Sequence, residues 1–177
     1  MKNIVLIGFM GTGKTTTGRL LAMRLGRPFL DIDRKIENDT GLAVSDIFFQ
    51  YGEAGFRQKE AEIIARVSRY SNFVIATGGG AVLFQENTMR LKKNGVLIGL
   101  TASLEVILER TGRRMTRPLL DRPDWENHVA ELLETRRSLY AIADYTVETE
   151  TISPPQVTDK IIHFLRRGGY LRGRSYR

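Results

Sequence analysis

Gly8-Phe9-Met10-Gly11-Thr12-Gly13-Lys14-Thr15 decides the fold. It has the spacing G-x-x-x-x-G-K-[ST], follows the apolar run Ile4–Phe9 (IVLIGF), and opens a segment of helical period, Thr15–Leu25, that ends at Gly26. In the order strand, glycine loop, helix, this spacing has a physical meaning. Bare backbone N–H groups can wrap a polyphosphate, and the helix N-terminus adds the positive end of its dipole. Lys14 is expected at the β- and γ-phosphates, and the Thr15 hydroxyl at Mg2+. With this much glycine, a chance match anywhere in the chain is on the order of one in a hundred.

Outward from that loop, apolar runs alternate with helical segments. PFLDID, FVIAT (Phe73–Thr77), VLIGL (Val96–Leu100) and YTVET read as strands. Asp33–Thr40, Ser45–Tyr51, Glu53–Tyr70, Ser103–Thr111 and Asp124 to about Tyr140 read as helices, with Gly41 and Gly52 as stops and Ser103 and Asp124 as caps. Ser153-Pro154-Pro155-Gln156 has capping-box spacing and opens a last helix to Arg167. No repeat or interdomain linker interrupts the order. Such alternation predicts an α/β domain with a parallel sheet covered on both faces.

The chain has 177 residues, which argues for one domain. Its composition is that of a globular protein, 42% hydrophobic and 27% charged. It has no cysteine, which excludes disulfide scaffolds, thiolate metal sites and a cysteine nucleophile, and fits a cytoplasmic location. No apolar run approaches a membrane span, and the N-terminal run lacks a signal-peptide cleavage site. The net charge of +7 is concentrated at the C-terminus: Arg166, Arg167, Arg172, Arg174 and Arg177 occur there with no acid, leaving the rest of the chain at +2. The basic balance therefore says little about what the folded body binds.

Four further features carry chemistry. Asp31-Ile32-Asp33 ends the second strand, where an extended backbone would point both carboxylates one way. One is expected at a metal and the other at a reacting hydroxyl, with N-capping by Asp33 as an equal alternative. Gly78-Gly79-Gly80 follows the FVIAT strand, so either a ligand meets bare backbone there or the turn is merely tight. Two helices carry a charge where an apolar residue is due. Glu60 falls on the stripe of Phe56, Ile63, Ile64 and Val67, three residues after Arg57, and Arg136 falls on the stripe of Val129, Leu132, Leu133, Leu139 and Tyr140. Snorkelling long side chains would account for both. The sharper reading has Arg57 and Arg136 gripping an anionic substrate together, with Glu60 holding Arg57. Finally, Arg110, Arg113, Arg114, Arg117 and Arg122 crowd a proline-punctuated loop, which reads either as a solvated, flexible basic loop or, in a phosphoryl-transfer protein, as a lid that closes arginines over the phosphates.

From about Asn3 to Arg167 the chain resembles the shikimate kinase family. The resemblance rests on GFMGTGKTTTGRLLA, the DID pair, Phe56-Arg57 with Glu60, ATGGGAVL, RPLL (Arg117–Leu120) and TRRSLY around Arg136. It implies a P-loop nucleoside-monophosphate-kinase-like fold with a five-stranded parallel sheet flanked by helices and a lid. It also implies ATP-dependent phosphorylation of the 3-hydroxyl of shikimate, in the pathway to chorismate and the aromatic amino acids. Asp33 matches the residue at the acceptor hydroxyls. Arg57, Arg136 and Gly78, Gly79 and Gly80 match the shikimate site, and Thr15 and Asp31 match the magnesium shell. Gly11, Thr12, Gly13, Lys14, Thr15 and Thr16 match the ATP phosphate site, Arg110 an adenine-side contact, and Arg117 the lid arginine. Lys14, Asp33 and Arg117 are the expected catalytic residues. A single kinase domain is expected over 1–168, with the substrate region about 33–60, the lid about 111–123, and a basic tail, 169–177, expected to be disordered. The expected partners are ATP and shikimate, with Mg2+ as cofactor, no membrane, no specific nucleic acid, and a monomeric state. The lid stretch TGRRMTRPLL is more basic than the family pattern.

The nearest rival is a same-fold kinase with another polyol or acidic acceptor. A regulatory GTPase would need Asn-Lys-x-Asp, which is absent. A nucleotide- or nucleic-acid-binding module without kinase activity is the alternative from another class, and only the tail suggests nucleic acid.

Overall fold

A computed structural model describes residues 1–112 and 123–171. Strand β1 (Asn3–Ile7) runs into the glycine loop and helix α1 (Lys14–Leu25), which stops at left-handed Gly26. Then follow β2 (Phe29–Asp31), α2 (Ile32–Thr40), α3 (Val44–Val67), β3 (Val74–Ala76), a 3₁₀ turn (Ala81–Leu83) and α4 (Gln85–Lys93). The chain continues with β4 (Gly95–Thr101), α5 (Leu104–Gly112), α6 (Trp125–Arg137), a 3₁₀ turn (Ser138–Ile142), β5 (Tyr145–Glu148) and α7 (Pro154–Arg167).

The five strands pair in the order β2-β3-β1-β4-β5, and every pairing is parallel. The registers Val5↔Ile75 and Val5↔Leu97 carry one phase of the strand period across the sheet. Val5, Ile7, Ile75 and Leu97 therefore share one core with α2, α3, α5 and α6, while Ile4, Leu6, Val74, Val96 and Ile98 share the other with α1 and α7. From β1 the chain leaves across one face toward β2. From the adjacent β3 it leaves across the other face toward β4. Their carboxyl ends thus flank the crevice where open α/β sheets place ligands.

Several boundaries differ from the sequence reading. The second strand stops at Asp31, which caps α2 through its own side chain, so Asp33 lies in the first helical turn and is not extended. Asp124 sits at the N-cap position of α6 without a side-chain cap bond. Within the α3 span the helix is broken at Gly52, whose φ of 67° and ψ of −177° are non-helical, so two helices meet at the glycine that the sequence reading marks as a stop. Helix α4 has no counterpart in the sequence reading. Ser153 does open α7 with the expected box, its N–H donating to Gln156 Oε1 at 2.8 Å. Tyr170 is half-buried beside Phe164, with ring centres 5.9 Å apart, and Leu171 packs on the same core. Among the described residues no helix is long and apolar enough to cross a membrane.

Candidate active site

The carboxyl ends of the strands enclose a cavity of about 400 Å³. Residues 11–17 of the loop and α1 form one wall, and Asp31, Asp33, Thr77, Arg110 and Thr149 complete much of the rest. Gly11 and Gly13 have φ of 76° and 89°, the left-handed region that other residues enter at a cost, and Gly13 serves as N-cap of α1. The first turn of α1 contains no acid to compete with an anion. Lys14 is buried, and its ammonium donates to the Gly8 and Phe9 carbonyls at 2.8 Å each. The loop thus holds its own cation inside the site. Thr16 lines the same wall. Across the cavity, Arg110 donates to the Gly11 carbonyl at 3.3 Å, the Thr149 hydroxyl at 3.1 Å and the Thr149 carbonyl at 2.8 Å.

Asp31 divides its two oxygens. Oδ1 accepts from the Asp33 N–H at 3.1 Å, which starts α2, and Oδ2 accepts from the Thr15 hydroxyl at 2.7 Å. A hydroxyl and a carboxylate held together at the cavity suit a hard cation such as Mg2+. Among the described residues no group of three or more His, Cys, Asp or Glu forms a complete metal cage. A cation at Thr15 and Asp31 would therefore need phosphate oxygens and water to complete its shell. Both carboxylates of the Asp31–Asp33 pair do line the cavity, although a helix start and not an extended strand places them there.

Beside this cavity lies a buried charged cluster. Glu60 is fully buried and Arg57 and Arg136 are nearly so, at 0%, 8% and 6% exposure, which excludes snorkelling to solvent. Arg57 Nη1 donates to Glu60 Oε2 at 2.7 Å, and Nη2 donates to Glu53 at 3.1 Å. Burial alone would lower the Arg57 pKa, but Glu60 and Glu53 outweigh it and the net shift is upward. Burial pushes the Glu60 carboxyl up, against the pull of Arg57, and nearby Asp33 pushes the same way. Arg136 is lowered by burial and by the neighbouring Arg57 charge. Two guanidiniums kept close in a low-dielectric setting favour an anion between them.

The glycine turn explains how the two regions meet. A Cβ at Gly78 would lie 2.6 Å from Glu60 Oε1 and 2.8 Å from Asp33 Oδ1, and one at Gly80 would overlap the Arg57 guanidinium. A Cβ at Gly79 would lie 3.3 Å from the Met10 backbone nitrogen. The bare turn therefore lets the charged side chains pack against one side and the phosphate loop against another. No positive φ is involved at these three positions. Close approach, by the site's own side chains first of all, is the reason for glycine.

The structure thus brings together Gly11–Thr16, Asp31, Asp33, Arg57, Glu60, Gly78–Gly80, Arg110 and Arg136. Arg117, together with Arg113, Arg114 and Arg122, lies outside the described residues. Two residues were not anticipated. Glu53 braces Arg57 from the preceding turn, a spacing of four that the sequence displays. Tyr140, read only as part of an apolar stripe, donates its hydroxyl to the Gly79 carbonyl at 2.6 Å.

A family model described as "Shikimate kinase" matches residues 10–166. A shikimate kinase of Pelotomaculum thermopropionicum is 48% identical over 97% of this chain and 99% of its own length. One of Thermodesulfovibrio yellowstonii is 50% identical over 92% and 94%. The solved structure of shikimate kinase from Acinetobacter baumannii in complex with shikimate superposes with a TM-score of 0.91 at 40% identity, covering 95% of this chain and 94% of that one. A gluconokinase from Sinorhizobium meliloti, at 17% identity and TM-score 0.62, shares the fold alone. The chain belongs to the shikimate kinase family.

Proposed function

We propose that this chain transfers the γ-phosphoryl group of ATP to the 3-hydroxyl of shikimate, giving shikimate 3-phosphate and ADP, a step toward chorismate and the aromatic amino acids. The observation that carries the reading is the buried pair Arg57 and Arg136 beside Asp33, joined to the phosphate loop by the Gly78–Gly80 turn. Shikimate offers what that arrangement lacks: one carboxylate for the two arginines and neighbouring hydroxyls for Asp33.

Backbone N–H groups of Gly11, Thr12, Gly13, Lys14, Thr15 and Thr16 receive the phosphates, with Lys14 moving from the loop carbonyls to the transferred group. Arg110 holds the nucleotide's adenine side, and Arg117 supplies further positive charge at the phosphates. Thr15 and Asp31 would hold Mg2+, which neutralises charge on the β- and γ-oxygens when bound. Arg57 and Arg136 take the acceptor carboxylate, Glu60 and Glu53 fix Arg57, and the Gly78–Gly80 turn faces the ring hydroxyls. Asp33 accepts the proton of the 3-hydroxyl as the new O–P bond forms and the bond to the ADP oxygen breaks. In this reading the enzyme is a cytoplasmic monomer with no specific nucleic-acid partner.

The test is an ADP-release assay with shikimate, quinate, gluconate and nucleoside monophosphates. Shikimate should exceed every other acceptor in kcat/KM by at least about 10². A preference for gluconate or a nucleotide would overturn the acceptor assignment.

A further inference from the structure

Tyr140 is buried at the turn that follows α6, and its phenol stands between the acid-binding cluster and the glycine turn. Its hydrogen is committed, because it donates to the Gly79 carbonyl at 2.6 Å. What remains on the oxygen is acceptor capacity. Arg136 stands four residues earlier, a donor-only group, and the two interact directly: the guanidinium favours the phenol's charged form, and the phenol favours the arginine's. The other end of the bond lies close to the phosphate loop, since a Cβ at Gly79 would come within 3.3 Å of the Met10 backbone nitrogen. Lys14 hangs from the carbonyls of the two residues before Met10.

We propose that Tyr140 is a positioning residue for phosphoryl transfer to a carboxylic acid: with its hydrogen given to Gly79, its oxygen fixes the Arg136 guanidinium for the acceptor's carboxylate. A hydrogen bond from Arg136 to that oxygen would turn a flexible arginine into a preorganised one and reference its position to the Gly78–Gly80 turn. Burial keeps the phenol protonated, with its pKa pushed up to about 12, so the donation to Gly79 persists across the working pH range. The inference rests on reading Arg136 as a carboxylate arginine, and the experiment separates the two.

Steady-state kinetics would compare the intact chain with Tyr140→Phe, Arg136→Ala and the double variant. The acceptors would be shikimate and its analogue with the carboxylate reduced to a hydroxymethyl group, and each variant would be melted in parallel. Tyr140→Phe should raise KM for shikimate about tenfold, with kcat within about threefold. It should leave the analogue's KM unchanged and add nothing in the Arg136→Ala background. An unchanged KM for shikimate, an equal rise for both acceptors, or a full second loss in the double variant would overturn the inference while leaving Arg136 in place. If Arg136→Ala itself leaves the shikimate KM unchanged, the carboxylate reading fails and the inference with it.

Discussion

The two halves of the site are built from different material. The phosphate half is backbone: one uninterrupted stretch between β1 and α1, shaped by glycines and finished by a single lysine. The acceptor half is side chain: Asp33 from α2, Arg57 and Glu60 from α3, and Arg136 and Tyr140 from α6 and the turn after it, packed onto a bare turn after β3. A backbone cradle reads charge and shape common to all nucleotides. A buried side-chain cluster can be set for one acid, because each charge left unpaired there is costly. In the proposed function, one half supplies the reagent and the other the selectivity.

Lys14→Ala should break the phosphate half outright. Removing the cation expected at the transferring phosphate should lower kcat by at least about 10², with the shikimate dissociation constant little changed. Near-normal kcat would contradict the phosphate assignment. Gly80→Ala should damage the other half alone, because the added methyl overlaps the Arg57 guanidinium and displaces it. An arginine moved by about 1 Å should cost on the order of 10² in kcat/KM for shikimate, while the KM for ATP stays within about threefold. Equal losses on both substrates would show that the turn serves the loop more than the arginines.

The smallest effect concerns pH. The Tyr140 phenol is pushed up to about 12 by burial, against the pull of Arg136 and Arg57. Between pH of about 10 and 12 the unfolded chain has lost this proton and the folded chain keeps it, so stability falls as pH rises through that window. The contribution is fully present below about pH 10 and amounts to roughly 2–3 kcal/mol. Denaturant titrations should show a steeper alkaline loss in the unmodified chain than in Tyr140→Phe. Parallel curves would mean that the phenol is not buried as described.

The contrast between the halves also explains what the sequence made legible. A backbone site is contiguous, so Gly8–Thr15 displays it directly. The acceptor half was legible in scattered signals: the Asp31–Asp33 pair, the run Gly78–Gly80, and the charges Glu60 and Arg136 that break apolar stripes. The bond from Tyr140 to Gly79 spans 61 residues and leaves no local mark. Asp31 and Asp33 reached the cavity for a reason other than strand alternation, because capping by Asp31 turned the chain into a helix one residue early. Helix α4 escaped notice because Gln85–Lys93 buries only Asn87 and Leu91, too few positions to make a stripe. Gly52 marked the break within α3, because a left-handed φ there interrupts the helix. Tyr170 sits beyond a helix-stopping glycine pair, where pattern suggests a free end, but its ring packs beside Phe164 and its N–H donates to the Leu165 carbonyl at 2.9 Å.

The division of labour is tested most directly by calorimetric titration of shikimate and of a non-hydrolysable ATP analogue into the intact chain, Arg57→Ala and Arg136→Ala. Each substitution should weaken shikimate binding by about 2–5 kcal/mol, roughly 30-fold or more, because it leaves a carboxylate or its partner arginine unpaired in a buried site. Binding of the ATP analogue should change by less than about threefold. Equal weakening of both ligands, or unchanged shikimate binding in a protein that merely melts earlier, would contradict the account.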